Sequence, residues 1–419
     1  MTPVTQTEHV TCLGCGCGCD DLTVQVSDGR IVNVTAACPI GRTWLGDGVV
    51  PANVVRNGQP STLSDAIADA ARTLTEAAGR CLVYLGTDIT SQTQRAALEI
   101  ADVLRARVET PTSAAAADGL LAAQRRGRAA ATLGEIRNRA DAIVFWGVDP
   151  AQHYPRFAAQ CGLTVGEMQP ARVVRDRVII GVGIGSDPTI SGADQVLTLR
   201  PEEEITALSF MRASVLGRSV TATSPGVGQA VDVAGRLSRA RYAVLVHDAD
   251  PDTELRNPLR ADALIALVQA LNTPTRAALS TLRGGGNRTG AEAVLTSQTG
   301  YPFAVDYSRG YPRYLPTDKS QLSAGEYRAV LIVGSPPEFA GKPGKNSVTM
   351  IVGPRASQSR LRARIAIDTG VAGIHEAGTA YRMDEVPLEL TPPLPPTRSA
   401  REVVTALADA VRTLRQQQR

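Results

Sequence analysis

Apolar and polar residues alternate through Leu22-Thr23-Val24-Gln25-Val26, the period of a half-buried strand. Ser27-Asp28-Gly29-Arg30 places Asp-Gly at the centre of a hairpin turn, and Ile31-Val32-Asn33-Val34 returns as the second strand. The period lengthens after a linker at 51–60. Ala66, Ile67, Ala70, Leu74 and Ala77 share one face of a helix that Ser61 or Ser64 can cap. A short apolar run at 82–86 predicts a strand, and 91–105 a second amphipathic helix. Arg107–Glu109 reads as a short strand, and 120–126 as helical after an alanine-rich stretch at 113–119. Apolar runs at 142–146 and 173–182 predict buried strands.

The pattern restarts after residue 200. A helix is expected over 201–216, with Pro201 at its first position and Glu202, Glu203 and Glu204 at the positive end of its dipole. Strands are expected at 242–247, 328–333, 348–352 and 365–367. Helices are expected at 256–271 and 401–415, the last one after a proline-rich stretch at 391–396. Alternating strands and helices predict an α/β protein built from βαβ units, with open parallel sheets covered on both faces. Four segments are expected: a cysteine-rich β unit at 1–50, a first α/β lobe at 51–200, a second at 201–390, and a closing helical segment at 391–419.

Composition narrows the function classes. A net charge of +3 gives no general attraction to nucleic acid or to an anionic membrane, and 4% aromatic residues give no stacking platform. The apolar runs are strand-length, well short of the roughly 20 residues of a membrane helix. No basic-then-apolar signal pattern opens the chain, so a cytoplasmic protein is expected.

Five of the seven cysteines lie at 12, 15, 17, 19 and 38. Such crowding in an intracellular chain points to metal or redox chemistry rather than disulfides. Cys12, Cys15, Cys19 and Cys38 are the candidate metal ligands, with Cys17 additional. A tight loop supplying three thiolates and a distant fourth suits a [4Fe–4S] cluster; a four-cysteine zinc site is the competing reading. Gly14, Gly16 and Gly18 suit a loop that wraps closely around such a group. Cys81 and Cys161 read as packing residues.

A strand followed at once by Gly or Asp and then Pro recurs at 147–150, 185–188, 248–251, 334–336 and 353–354. Ligands of open parallel sheets sit at the carboxyl ends of strands, so these loops outline a nucleotide-like or pterin-like crevice. None matches the Rossmann or P-loop fingerprint, and NAD and ATP are not expected.

Cys12-Leu13-Gly14-Cys15 through Cys19-Asp20-Asp21, followed by Ala37-Cys38-Pro39-Ile40-Gly41, resembles the N-terminus of the B subunit of formylmethanofuran dehydrogenase, a family of molybdopterin oxidoreductases. The resemblance continues through residues 133–141, Phe145-Trp146-Gly147-Val148-Asp149-Pro150, residues 294–306, Gly310-Tyr311-Pro312-Arg313-Tyr314 and residues 376–384. It implies a multi-lobed fold of the molybdopterin oxidoreductase type, with a [4Fe–4S] cluster in the N-terminal lobe. It further implies a molybdenum or tungsten bis-pterin guanine dinucleotide at the strand ends. In the redox enzyme the metal is held by Cys or selenocysteine in a Cys-His-Gly-Pro motif, just ahead of a helix beginning like Leu120-Leu121-Ala122-Ala123-Gln124.

Here the corresponding stretch is Ser113-Ala114-Ala115-Ala116-Ala117-Asp118-Gly119, with Ala115 and Ala116 at the Cys and His positions. Alanine has no lone pair for a metal and no proton to move. The four histidines, at 9, 153, 247 and 375, lie elsewhere. Within the family the chain is most similar to the B subunit of the bacterial formyltransferase/hydrolase complex of tetrahydromethanopterin-dependent formaldehyde oxidation. That similarity implies a structural subunit beside homologues of the A, C and D subunits. Formyl transfer and hydrolysis to formate would take place on those partners, with a methylofuran-type carrier between them. The alternative the resemblance leaves open is a redox-active molybdenum or tungsten dehydrogenase subunit.

Overall fold

The computed structural model describes residues 3–163, 174, 176–187, 190, 192–248, 257–315, 327–336, 344, 346–396 and 398–418. It separates into two compact units, Met1–Thr112 with Gly285–Arg419, and Ser113–Gly284. The linear segments expected at 1–50, 51–200 and 201–390 do not follow this division. The Cys81–Leu85 strand pairs with Ala329–Val333, on the far side of the whole second unit in sequence. Strand pairing is set by register in space, which hydrophobic periodicity along the chain does not carry.

The first unit is built on a nine-stranded mixed sheet. Its centre is parallel: Arg107–Glu109, Cys81–Leu85, Ala329–Val333, Val348–Gly353 and Ile365–Asp368. Antiparallel strands close both edges: Val305–Asp306 and Arg313–Tyr314 on one side, Val54–Arg56 and Gln59–Pro60 on the other. The expected linker at 51–60 therefore contains an edge ribbon. Helices Leu63–Glu76, Ser91–Leu104, Arg288–Thr299 and Ala400–Gln417 share the main apolar core with this sheet. Thr62, Thr90 and Ser399 cap three of them, each side-chain oxygen accepting from a first-turn amide. The proline-rich stretch at 391–396 leads into the last.

The second unit holds five parallel strands in the order Gln195–Leu199, Val178–Ile184, Ala142–Trp146, Ala243–Asp248 and Ala277–Leu282. The strand expected over 173–182 is observed at Val178–Ile184, and Val173 lies outside the described residues. The helix expected over 201–216 opens as a 3-10 turn, Pro201–Glu203, and continues as Glu204–Val215. The alanine stretch and the segment after it form one helix, Ala114–Arg126, as the helix propensity of alanine favours. Beneath this sheet Glu204, fully buried, accepts from the Trp146 indole at 2.8 Å and from Arg260 Nε at 2.5 Å.

The helices Pro39–Leu45, Leu133–Arg139, Pro225–Leu237 and Arg288–Thr299 and the strands Thr5–Val10, Gln195–Leu199 and Ala277–Leu282 are among the elements that the pattern does not predict. Thr5–Val10 is polar and mostly exposed, so it carries no hydrophobic signal. It pairs with Leu22–Ser27, which pairs with Arg30–Thr35, giving a three-stranded antiparallel sheet. Asp28 and Gly29 both take positive φ, 51° and 70°, as a type I′ hairpin turn requires. Among the described residues no helix is long and apolar enough to cross a membrane.

Candidate metal centre and strand-end cavity

The cysteine loop is the connection between Thr5–Val10 and Leu22–Ser27. The Cys12 amide donates to Cys19 O at 2.7 Å, so the ladder of the antiparallel pair runs on into the loop. Gly18, at φ 51°, turns the chain back. The loop is pinned to the rest of the first unit by two backbone bonds, Gly286 N to Leu13 O at 2.7 Å and Met383 N to Gly16 O at 3.0 Å. A side chain at Gly285 would collide with Gly14 O, so this close approach requires glycine.

Cys38 ends the hairpin and caps the short helix Pro39–Leu45, its sulfur accepting from Gly41 N at 3.5 Å. The Cys12 sulfur accepts from Gly14 N at 3.4 Å. Both sulfurs converge on Gly41. A Cβ there would stand 3.1 Å from Cys12 Sγ and 3.9 Å from Cys38 Sγ. The hairpin thus brings the two cysteine segments together. Cys12, Cys15, Cys17 and Cys19 are buried and Cys38 is half-buried. Among the described residues no three His, Cys, Asp or Glu side chains are arranged as a ligand set. Cys81 and Cys161 are buried elsewhere, the Cys81 thiol donating to Ala77 O at 3.2 Å, and burial pushes its pKa up to about 12.

Beside the loop a cavity of about 400 Å³ lies at the carboxyl ends of the central strands of the first unit. Leu13, Gly14 and Trp44 form its cysteine-loop wall. Asp88 follows the Cys81–Leu85 strand and accepts from the Ser335 amide at 2.8 Å and hydroxyl at 2.5 Å. Burial is the main cause holding its pKa above the usual carboxylate range. His375 Nδ1 accepts from Val371 N at 3.2 Å, which leaves Nε2 to carry the proton and donate to Gly48 O at 2.7 Å. Burial lowers its pKa, so this imidazole is a neutral structural link. Arg288 and Arg355 complete the polar lining.

The loops at 334–336 and 353–354 do border this cavity. Their glycines, however, serve the approach of neighbouring strand ends. A Cβ at Gly334 would stand 2.7 Å from Asp88 Oδ1, and one at Gly353 2.5 Å from the Gly334 backbone. The 86–88 loop also borders the cavity, and the strand-then-Gly-or-Asp-then-Pro pattern misses it because no proline follows Gly86. In the second unit, Asp149 caps a short helix and accepts from Ala151 N at 2.9 Å. Pro188 and residues 249–251 of the remaining loops lie outside the described residues.

Ala115 and Ala116 occupy the first turn of Ala114–Arg126, both buried, and the Ser113 side chain caps that turn by accepting from Ala116 N at 3.1 Å. No sulfur or imidazole stands at either position.

No family model matches the chain. It is 31% identical to the B subunit of the tungsten-containing formylmethanofuran dehydrogenase 2 of Methanocaldococcus jannaschii, across 97% of this chain and 98% of that protein. It is 28% identical to the protein of the same name from Methanococcus maripaludis, across 91% and 93%. Among solved structures it is similar to a chain of the formyltransferase/hydrolase complex from Methylorubrum extorquens, crystallised with methylofuran. That match has a TM-score of 0.69 at 22% identity, covering 86% of this chain and 99% of that one, and it speaks to the fold.

Proposed function

The chain belongs to the B-subunit family of formylmethanofuran dehydrogenases, and on that premise we propose that it is the B subunit of a formyltransferase/hydrolase complex. In this reading it works in tetrahydromethanopterin-dependent oxidation of formaldehyde to formate, in the cytoplasm, as a structural subunit. Homologues of the A, C and D subunits assemble around it, and a methylofuran-type carrier is held by those partners. Its sheets are of the molybdopterin oxidoreductase type, with the redox site lost.

The observation that carries the reading is the first turn of Ala114–Arg126. Ala115 and Ala116 stand where the resemblance puts the metal-binding pair, and both are packed into a capped helix. A methyl group cannot ligate tungsten or molybdenum. A metal–pterin centre does not fit this turn, and no redox step is assigned to the chain.

The thiols are different. Cys12, Cys15, Cys19 and Cys38 are read as holding a [4Fe–4S] cluster. The support is their burial, the convergence of Cys12 and Cys38 on Gly41, and amide donors from Gly14 and Gly41 to two of the sulfurs. Such a cluster would tie the 12–19 loop to Cys38 through iron–thiolate bonds, and metal binding of this kind stabilises a small unit with little core of its own. The residues themselves bury the sulfurs and aim amides at them.

Metal analysis of the assembled complex tests both parts. The expected result is about four iron atoms per chain and no stoichiometric tungsten or molybdenum. Tungsten or molybdenum near one per chain, with robust viologen reduction by formate, would overturn the structural reading in favour of a redox enzyme. Zinc without iron would replace the cluster by a four-cysteine zinc site.

A further inference from the structure

Arg80 immediately precedes the Cys81–Leu85 strand, Arg328 precedes Ala329–Val333, and Arg364 precedes Ile365–Asp368. These strands run parallel within the central part of one sheet, so the three arginines sit along its amino-terminal rim. Backbone bonds hold the rim together: Arg328 N donates to Arg80 O at 2.8 Å, and Arg364 N to Thr349 O at 2.8 Å. A cleft of about 770 Å³ opens here, at the opposite strand ends from the cavity beside the cysteine loop.

The walls of the cleft are rich in donors. Arg80, Arg328 and Arg364 are joined by the Asn346 amide and by the Thr73 hydroxyl, and the one carboxylate among the described lining residues is Glu76. Arg364 is positioned from behind. Its Nη2 donates to both carboxylate oxygens of Asp69, at 2.8 and 3.1 Å, and Asp69 is itself buried. Arg80 and Arg328 are exposed. A chain of net charge +3 has no general anion-attracting field; on this rim Asp69 offsets Arg364, while Arg80 and Arg328 line the cleft against Glu76 alone, which leaves a local excess of positive charge. Guanidinium forks bind phosphate and carboxylate through paired N–H bonds, and the volume lies in the range of small-molecule sites.

We propose that this cleft binds a small polyanion carrying two or more phosphate or carboxylate groups, held by Arg80, Arg328 and Arg364. Phosphate and carboxylate ligands share this chemistry, and two probes separate them.

The test is titration calorimetry of the full-length chain with pyrophosphate and, separately, with citrate at about 50 mM salt, where exposed charges are weakly screened. Saturable one-to-one binding of at least one probe is expected, and the tighter probe names the group. Arg80→Ala with Arg328→Ala should weaken it by about tenfold or more, with an unchanged far-UV spectrum because both side chains are exposed. Glu76→Gln should tighten it by about twofold to threefold, a change of sign that a purely structural role for the rim would not produce. No saturable binding of either probe, or equal affinity in the double variant, would overturn the proposal.

Discussion

Glu376 is a carboxylic acid buried beside the amino end of the last helix. Its carboxylate accepts from the Ala400 amide, while burial, the largest influence, outweighs that bond and raises its pKa from 4.5 to about 7. Glu402 and Asp88 push in the same direction as burial. Folding therefore favours the protonated form. Stability from this group is fully present below the unfolded value, falls as pH rises from about 4.5 towards 7, and is lost above the folded value. Raising a pKa by one corresponds to about 1.4 kcal/mol, so the ionised side chain costs on the order of 3 kcal/mol at about pH 8.5. Glu376→Gln keeps an oxygen near the Ala400 amide and does not ionise. The variant should match the parent within about 1 kcal/mol at about pH 5 and exceed it by about 2–3 kcal/mol at about pH 8.5. Urea unfolding of both proteins across this pH range measures the gap. A gap that is constant with pH, or that closes as pH rises, would refute the reasoning, because only a raised folded-state pKa makes it widen in that direction.

Two further predictions concern packing. Gly41→Ala places a methyl 3.1 Å from Cys12 Sγ. It should lower both iron content and melting temperature, although an alanine normally improves a helix. Gly235→Ala, in Pro225–Leu237, meets only an Arg239 nitrogen at 3.7 Å and should stabilise by about 0.5–1 kcal/mol. If both variants stabilise, the sulfur does not sit where Gly41 requires it. Arg260→Leu strands the fully buried Glu204 carboxylate, leaving it the Trp146 indole but not the guanidinium. A cost of about 3–5 kcal/mol by denaturant unfolding is expected, and a loss under about 1 kcal/mol would refute the reading of a buried ion pair.

Much was legible in the chain itself. The Leu22–Val34 hairpin followed from a period of two around Asp28-Gly29, and the helices Leu63–Glu76, Ser91–Leu104 and Ala400–Gln417 from a period near 3.6, although the cap of the first is Thr62 and neither Ser61 nor Ser64. The cysteine spacing and the alanines at 115 and 116 are properties of sequence, and family membership rests on similarity along almost the whole length. These features are local or linear, and neighbouring residues suffice to encode them.

Tertiary structure decided the rest. Pairing of Cys81–Leu85 with Ala329–Val333 makes one sheet from the two ends of the chain, and no periodicity announces which apolar run lies beside which. The meeting of Cys12 and Cys38 over Gly41, the capture of Asp88 by Ser335, and the alignment of Arg80, Arg328 and Arg364 on one rim join residues far apart in the chain. Sequence determined which residues could do chemistry; packing and register in space determined which of them stand together.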